Sequence, residues 1–363
     1  VGIQEPVGAA QRRETYLGQG VSFFASGPKA PVMQRWQFGI QRELPHGVVA
    51  EVSAVGNRGS DILVNRNFAA FPVHYLSRTG VRDQATIDYL SANLPNPFNP
   101  LLPGTSRAGT LISRATLLQP YPHFTSVGTT TNQGRSWYHS LQTKVERRFS
   151  AGYTVQAAYT WAKFMEATEF LNDGDPEPAK VISDQNFPHR ISFSWIWELP
   201  FGNGRRFFAD GNRVTKAIVS GWQVQGIFTG QAGQALGFGN VPFNGDLHNI
   251  VLPKSERRPE RWFNIDAGFE RASARQLSYA ARTLSMRFSG IRSDGINNWD
   301  VSAIKDTSIG ESVKMQFRAE FLNAANHAHF SNPNTSVTTT AFGTVTSEKA
   351  YPRRIQLGLK VIY

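Results

Sequence analysis

The sequence predicts an all-β fold, an antiparallel transmembrane barrel of about a dozen strands, on three observations. Apolar and polar residues alternate with period two in stretch after stretch. The connections between those stretches are sorted into short and long. No run of 18 apolar residues exists to cross a membrane as a helix.

Alternation is clearest in three segments. Tyr153, Val155, Ala157, Tyr159 and Trp161 stand against Thr154, Gln156, Ala158 and Thr160. Ile191, Phe193, Trp195, Trp197 and Leu199 stand against Ser192, Ser194, Ile196 and Glu198. Ile355, Leu357, Leu359, Val361 and Tyr363 stand against Gln356, Gly358, Lys360 and Ile362. This is the pattern of a strand with two chemically different faces. Val313, Met315, Phe317, Ala319 and Phe321 fit it too, although Val313, Phe317 and Phe321 also match a helical spacing. All five odd positions are apolar, which favours a strand.

Nine strands are expected: 34–43, 48–57, 136–149, 153–163, 190–199, 221–230, 297–306, 313–323 and 354–363. The connections 44–47, 150–152, 200–220 and 307–312 are the shorter ones. They alternate with the long connections 58–135, 164–189, 231–296 and 324–353. Outer-membrane barrels have short periplasmic turns and long extracellular loops, whereas a soluble sandwich has no reason to sort its loops. This places Tyr363 on the periplasmic side. Residues 1–33 are expected to form a loop or a partial strand, and 34–363 the barrel segment. A short helix is expected within 75–90, and short strands at 284–288 and 342–346.

Composition agrees without deciding. A mean hydropathy of −0.33 suits strands that alternate lipid-facing and lumen-facing residues. The 25 Phe, 10 Tyr and 8 Trp suffice for two aromatic girdles. The absence of cysteine excludes disulfides, thiolate metal sites and a cysteine nucleophile. The net charge of +11 is spread over scattered Arg pairs, from Arg12–Arg13 to Arg353–Arg354, so no nucleic-acid partner is expected. Lipopolysaccharide or an anionic solute suits the charge equally well.

The order of several motifs resembles the C-terminal barrel portion of Oar-like TonB-dependent receptors, the carboxypeptidase-regulatory-like group. These motifs are Trp137-Tyr138-His139-Ser140-Leu141-Gln142 with Val145–Phe149, Leu199-Pro200-Phe201-Gly202, and Gly221-Trp222-Gln223-Val224. Trp262-Phe263-Asn264, Asn298–Ser302, Gln316–Asn323, Asn326-His327, Phe330–Asn334 and Arg353–Lys360 follow. The resemblance covers residues from about Gln34 to the end. It implies a barrel of roughly 22 strands closed by an N-terminal plug. It also implies transport driven by the TonB–ExbB–ExbD complex. No plug, TonB box or regulatory-like domain is visible, and the chain starts at Val1 without a signal segment, so it reads as the C-terminal half of a larger barrel. The alternative is an outer-membrane structural or surface-adhesion barrel without active transport.

Site candidates are few. Ile355, Leu357, Leu359, Val361 and Tyr363 resemble the assembly signal read by the barrel-insertion machinery. His327 and His329 could share a strand face as a metal pair, but no third ligand is nearby, and a solvated loop is the other reading. Asn172–Glu177 is oxygen-rich like a calcium loop, without the EF-hand register. Gly202–Gly204 and Gly230–Gly237 lack the context of phosphate loops. Tyr121, Phe124, Trp137 and Tyr138 form a candidate aromatic patch, for which girdle or loop packing is preferred over ligand stacking. No catalytic triad or paired carboxylates stand out, so no enzyme activity, cofactor or metal is expected. The transported ligand and its binding residues stay open.

Overall fold

The structure is a computed structural model that describes residues 14–99, 101–102, 104–202, 204–309 and 312–363. Nine long strands run consecutively through it. They are β1 (Val32–Leu44), β2 (Val48–Asn67), β3 (Ser126–Ser150), β4 (Tyr153–Ala167) and β5 (His189–Glu198). Then follow β6 (Trp222–Gln231), β7 (Ile296–Ile309), β8 (Val313–Leu322) and β9 (Arg354–Ile362). Each pairs antiparallel with its sequence neighbours, from β1 at one edge to β9 at the other. The two edge strands do not pair with each other, so the sheet stays open. The shortest, β9, has 9 residues, which meets the 9–11 that a tilted spanning strand needs. Val313–Phe321, the ambiguous segment, is strand.

One parity is kept across the whole sheet. Leu44, Val48, Arg147, Val155, Trp195, Gly226, Val301, Phe321 and Ile355 oppose one another in turn, one residue per strand. Because directly opposed residues share a face, this row fixes the facing of every strand. It begins at the last residue of β1 and ends near the first of β9. The strands therefore tilt against the row, as closure into a barrel requires. The adjacent row carries Glu43, Val49, Glu146, Gln156, Ser194, Ile227 and Asp300 on the opposite face.

The first face is apolar at mid-height and bears its charges near the ends. Arg42, Arg147 and Lys305 stand toward the short-turn end, and Arg58 and Lys163 toward the other. Long cationic side chains can reach out of an apolar zone from such places. Trp36, Trp137 and Trp161 band the upper end, and Tyr153, Trp197 and Trp222 the lower. Two indoles lie over cross-strand glycines. A Cβ at Gly56 would run into Trp36, and one at Gly226 into Trp195. Glycine there lets a large ring lie flat against the wall.

Turns follow local chemistry. Ala151 and Gly152 both have positive φ (53° and 86°) between the paired residues Ser150 and Tyr153, as a two-residue hairpin turn demands. His46 and Gly47 do the same between β1 and β2 (68° and 69°).

Some expectations need correction, and others are located by the structure. β2 and β3 are about ten residues longer than their alternation suggests and form a projecting ribbon, so the loop assigned to 58–135 begins only after Asn67 and ends before Ser126. Register shifts around Gly59–Val64 break the period, and the Thr-rich upstream part of β3 has no apolar face to read. The strand expected at 284–288 lies at Phe288–Arg292 and pairs with Ala235–Leu236, while 342–346 is turn and coil. Within 1–33, Gly20–Ser22 pairs in parallel with Ser126–Gly128, and residues 1–13 lie outside the described residues. The helix expected within 75–90 is Gln84–Ser91, capped by Asp83, which accepts from the Thr86 N–H and hydroxyl. Those two hydrogen bonds hold the Asp83 carboxyl below its ordinary pKa.

The facing predicts opposite outcomes for two neighbours. Phe193→Arg places a charge in the apolar band and should cost about 2–4 kcal/mol of folding free energy in a bilayer. Ser194→Arg, on the polar face, should leave it nearly unchanged. Heat-modifiable gel mobility after refolding into lipid vesicles reads both.

Candidate functional site

The polar face carries a hydrogen-bonded network along β7 and β8. Asp306 accepts from the Lys314 ammonium (2.8 Å) and from Gln316 (2.9 Å). Arg318 donates to Gln316 (2.8 Å) and lies 3.9 Å from Glu320. On β3, Lys144 meets Glu146 at 2.6 Å. These charges satisfy one another on a face that is mostly polar, with Ile304 opposite Arg318 and Ile362 opposite Lys314 among its few apolar residues.

The long connections at the other end pack into a body of their own. Leu236, Phe238, Ile250, Trp262, Phe263, Ile291, Val337 and Phe342 form a buried apolar cluster built from two loops far apart in sequence. Phe263 and Phe342 are almost fully buried, and their ring centroids are 5.2 Å apart and near perpendicular, as are those of Phe238 and Phe263. Edge-to-face contacts of this kind add to the burial itself. Trp262 donates its indole N–H to the Arg292 carbonyl (2.8 Å), which ties the cluster to the strand Phe288–Arg292.

Arg287 fastens this body to the wall, and Arg292 ties it to a neighbouring loop. Arg287 meets Glu166 of β4 at 2.8 Å and Glu169 at 3.1 Å, and it donates to the Ile182 carbonyl (2.7 Å). Arg292 donates to the carbonyls of Asn186 and Gly233 (2.8 and 2.9 Å). Burial lowers the pKa of the Arg292 guanidinium from its ordinary value.

Between the polar face and this loop body lies a cavity of about 470 Å³. Asn298, Asp300 and Arg354 enter it from the polar face, and His329, Lys349 and Tyr351 from the loop. The Arg354 guanidinium lies 3.6 Å from the centroid of the Tyr351 ring. Asp300 accepts from the Asn323 N–H at 2.8 Å, which fixes the turn that ends β8. A carboxylate, a guanidinium and an amide converge on a space whose lining is otherwise largely apolar, an arrangement suited to a ligand held by a few polar contacts.

The residues singled out from sequence fare unevenly. Ile355, Leu357, Leu359 and Val361 lie on the apolar face of β9 opposite Phe321, Ala319, Phe317 and Met315, and all are exposed, as is Tyr363. His327 and His329 are close, with centroids 5.3 Å apart, but the His329 Nε2 accepts the Asn297 N–H (3.0 Å). Among the described residues no group of three or more His, Cys, Asp or Glu is placed to hold a metal ion. In 172–177, Asn172 and Asp175 spend their side chains on the loop: Asn172 Oδ1 accepts the Arg282 N–H and Asp175 accepts from Asn172. The aromatic patch is split. Trp137 and Tyr138 alternate across β3, with Lys180 4.7 Å from the Trp137 ring and Phe164 against Tyr138, while Tyr121 and Phe124 sit beside His123 in the loop. Gly202 and Gly204 have positive φ and serve a turn, and Asn203 lies outside the described residues.

A family model described as an outer membrane beta barrel domain matches residues 2–356. The chain belongs to this family of outer-membrane β-barrels. In such a barrel the apolar face is the lipid-facing one and the polar face lines the lumen. No curated protein sequence matches the chain. Among solved structures it is similar to the outer membrane transporter YddB from Escherichia coli, at 11% identity and a TM-score of 0.44, over 95% of this chain and 34% of that one. It is also similar to the FrpB iron transporter from Neisseria meningitidis (F3-3 variant), at 12% identity and a TM-score of 0.41, over 94% and 33%. A third is FpvA of P. aeruginosa bound to heterologous pyoverdines, at 11% identity and a TM-score of 0.36, over 91% and 27%. The chain thus spans about a third of the length of YddB and FrpB.

Arg287 and the lumenal cavity were not singled out from sequence. The density of Phe and Trp between 236 and 288 was the available signal for a packed loop body. Arg287→Met should leave the half-buried Glu166 with only its hydrogen bond from Ser183 and cost the loop body about 1–3 kcal/mol. Limited proteolysis should then cut within 232–295 while the barrel band persists.

Proposed function

We propose that this outer-membrane barrel is the C-terminal part of a TonB-dependent transporter, with its long loops at the cell surface and its short turns in the periplasm. The observation that carries the reading is the loop body. A barrel that only fills membrane does not need connections with their own aromatic core, whereas capture of a solute needs a rigid surface over the lumen. The cavity beneath it, bounded by Asp300, Arg354 and Tyr351, is where a captured solute would first meet the lumen wall.

Two further features support the reading. The open edges of β1 and β9 would leave rows of unpaired N–H and C=O groups in hydrocarbon, each costing several kcal/mol. Further strands would therefore complete a larger barrel, as the Oar-like resemblance implies. Coupling to TonB–ExbB–ExbD falls to a plug and TonB box, the parts to which the resemblance assigns that role. The exposed row Ile355, Leu357, Leu359, Val361 and Tyr363 on the edge strand β9 suits recognition by the barrel-insertion machinery.

The test compares solute depletion from the medium by cells with the intact gene, with a deletion, and with the intact gene in a strain lacking TonB. At least one solute should be depleted only by the intact gene with TonB present. Asp300→Ala and Tyr351→Ala should weaken its capture about tenfold or more, the scale of one lost 1.4 kcal/mol contact. Equal depletion in all three strains, with surface attachment lost on deletion, would instead support the structural or adhesion role.

A further inference from the structure

The connection between β5 and β6 is the longest at the short-turn end, and it does not fold under the lumen. It holds a helix, Arg213–Val219, whose first turn is capped by Asn212 accepting the Thr215 N–H (2.8 Å). Three hydrogen bonds dock the other end of the helix. The Lys305 ammonium donates to the carbonyls of Ala217 and Ser220 (2.8 Å each), and the Trp222 indole N–H donates to that of Ile218 (2.8 Å). Lys305 and Trp222 oppose each other on the apolar, lipid-facing side of the wall. The helix therefore sits on the outside of the barrel at its rim.

Its exposed residues are unusual for a watery surface. Val214 is 68% and Ile218 61% exposed, and they lie four residues apart on one face. Phe208, in the preceding turn, is 58% exposed. Arg206 and Arg213 are exposed beside them, with Lys216 half-buried and Asp210 the segment's only acidic residue among those described. Arg205 is already paired with Glu198 at 2.6 Å.

We propose that residues 200–220 are an interfacial anchor lying in the headgroup layer of the phospholipid leaflet at the short-turn end. Val214, Ile218 and Phe208 enter the acyl boundary, and Arg206 and Arg213 meet lipid phosphates. An amphipathic element binds a membrane in this way through apolar area plus attraction to anionic lipid. The occupant is lipid because the apolar stripe continues the lipid-facing wall through Trp222 and Lys305, and because the exposed charge beside it is mainly positive. The inference rests on membership of the barrel family and not on transport.

The chain has no cysteine, so bimane can be attached at V214C and I218C in the full protein reconstituted in bilayers. Assembly is first checked by heat-modifiable mobility. Lipids brominated along the acyl chain should quench both labels as strongly as one at L357C on the lipid face of β9, and aqueous iodide should quench them far less than one at the exposed loop residue S255C. Labels open to iodide, or shielded from both quenchers by protein, overturn the anchor. Replacing phosphatidylglycerol by phosphatidylcholine, or making R206Q/R213Q, should lower the lipid quenching at I218C. No change in either case overturns the phosphate role of the two arginines.

Discussion

Inside a bilayer a backbone N–H or C=O has no water to fall back on, and this one constraint orders the rest of the structure. It forces the chain into ladders that satisfy every group between strands, and it forces one parity of each strand to be apolar. The two demands are linked through register. A slip of one residue between any two strands would turn a row of Glu, Gln and Lys to the lipid. The row from Leu44 to Ile355 crosses nine strands without such a slip. Charges that do occupy the apolar parity, such as Arg147 and Lys305, stand near strand ends and find carbonyls there: Arg147 donates to His46 and Lys305 to Ala217 and Ser220.

Beyond the hydrocarbon the constraint lifts, and a different balance takes over. At the long-loop end, water can satisfy the backbone, so order comes from side chains instead. Phe238, Phe263 and Phe342 build a small core of the kind found in soluble domains, and Arg287 and Arg292 anchor it by charge-assisted hydrogen bonds. The lumen wall supplies polar groups at fixed spacing and the loop body supplies a roof. The cavity between them draws on both.

Much of the wall was legible in the sequence because alternation reports it directly. The nine strands appear where Trp195, Phe317 or Leu359 recur with their polar neighbours, and the turns appear at Ala151-Gly152 and His46-Gly47. The ribbon of β2 and β3 was not legible beyond 57 and before 136. Past the membrane its two faces no longer differ, and bulges near Gly59 reset the period. The candidate site was less legible still. Asp300, Arg354 and Tyr351 meet through a loop that returns over the lumen, and no local spacing records that meeting. Arg287 and Glu166 are likewise more than a hundred residues apart and carry no signal until folded. Trp137 and Tyr138 do not form one patch, since adjacent residues on a strand face opposite ways, and Trp137 falls in the aromatic band while Tyr121 and Phe124 pack in a loop.

The central claim is that a single strand parity faces lipid, and β8 tests it most directly because its sequence alone also permits a helix. A nitroxide placed in turn at each position from Val313 to Leu322, in the protein reconstituted in bilayers, reports access to oxygen in lipid and to a nickel chelate in water. Oxygen access should peak at Val313, Met315, Phe317, Ala319 and Phe321, and nickel access at Lys314, Gln316, Arg318 and Glu320. A period near 3.6 residues, or uniform access along the strand, would contradict the account.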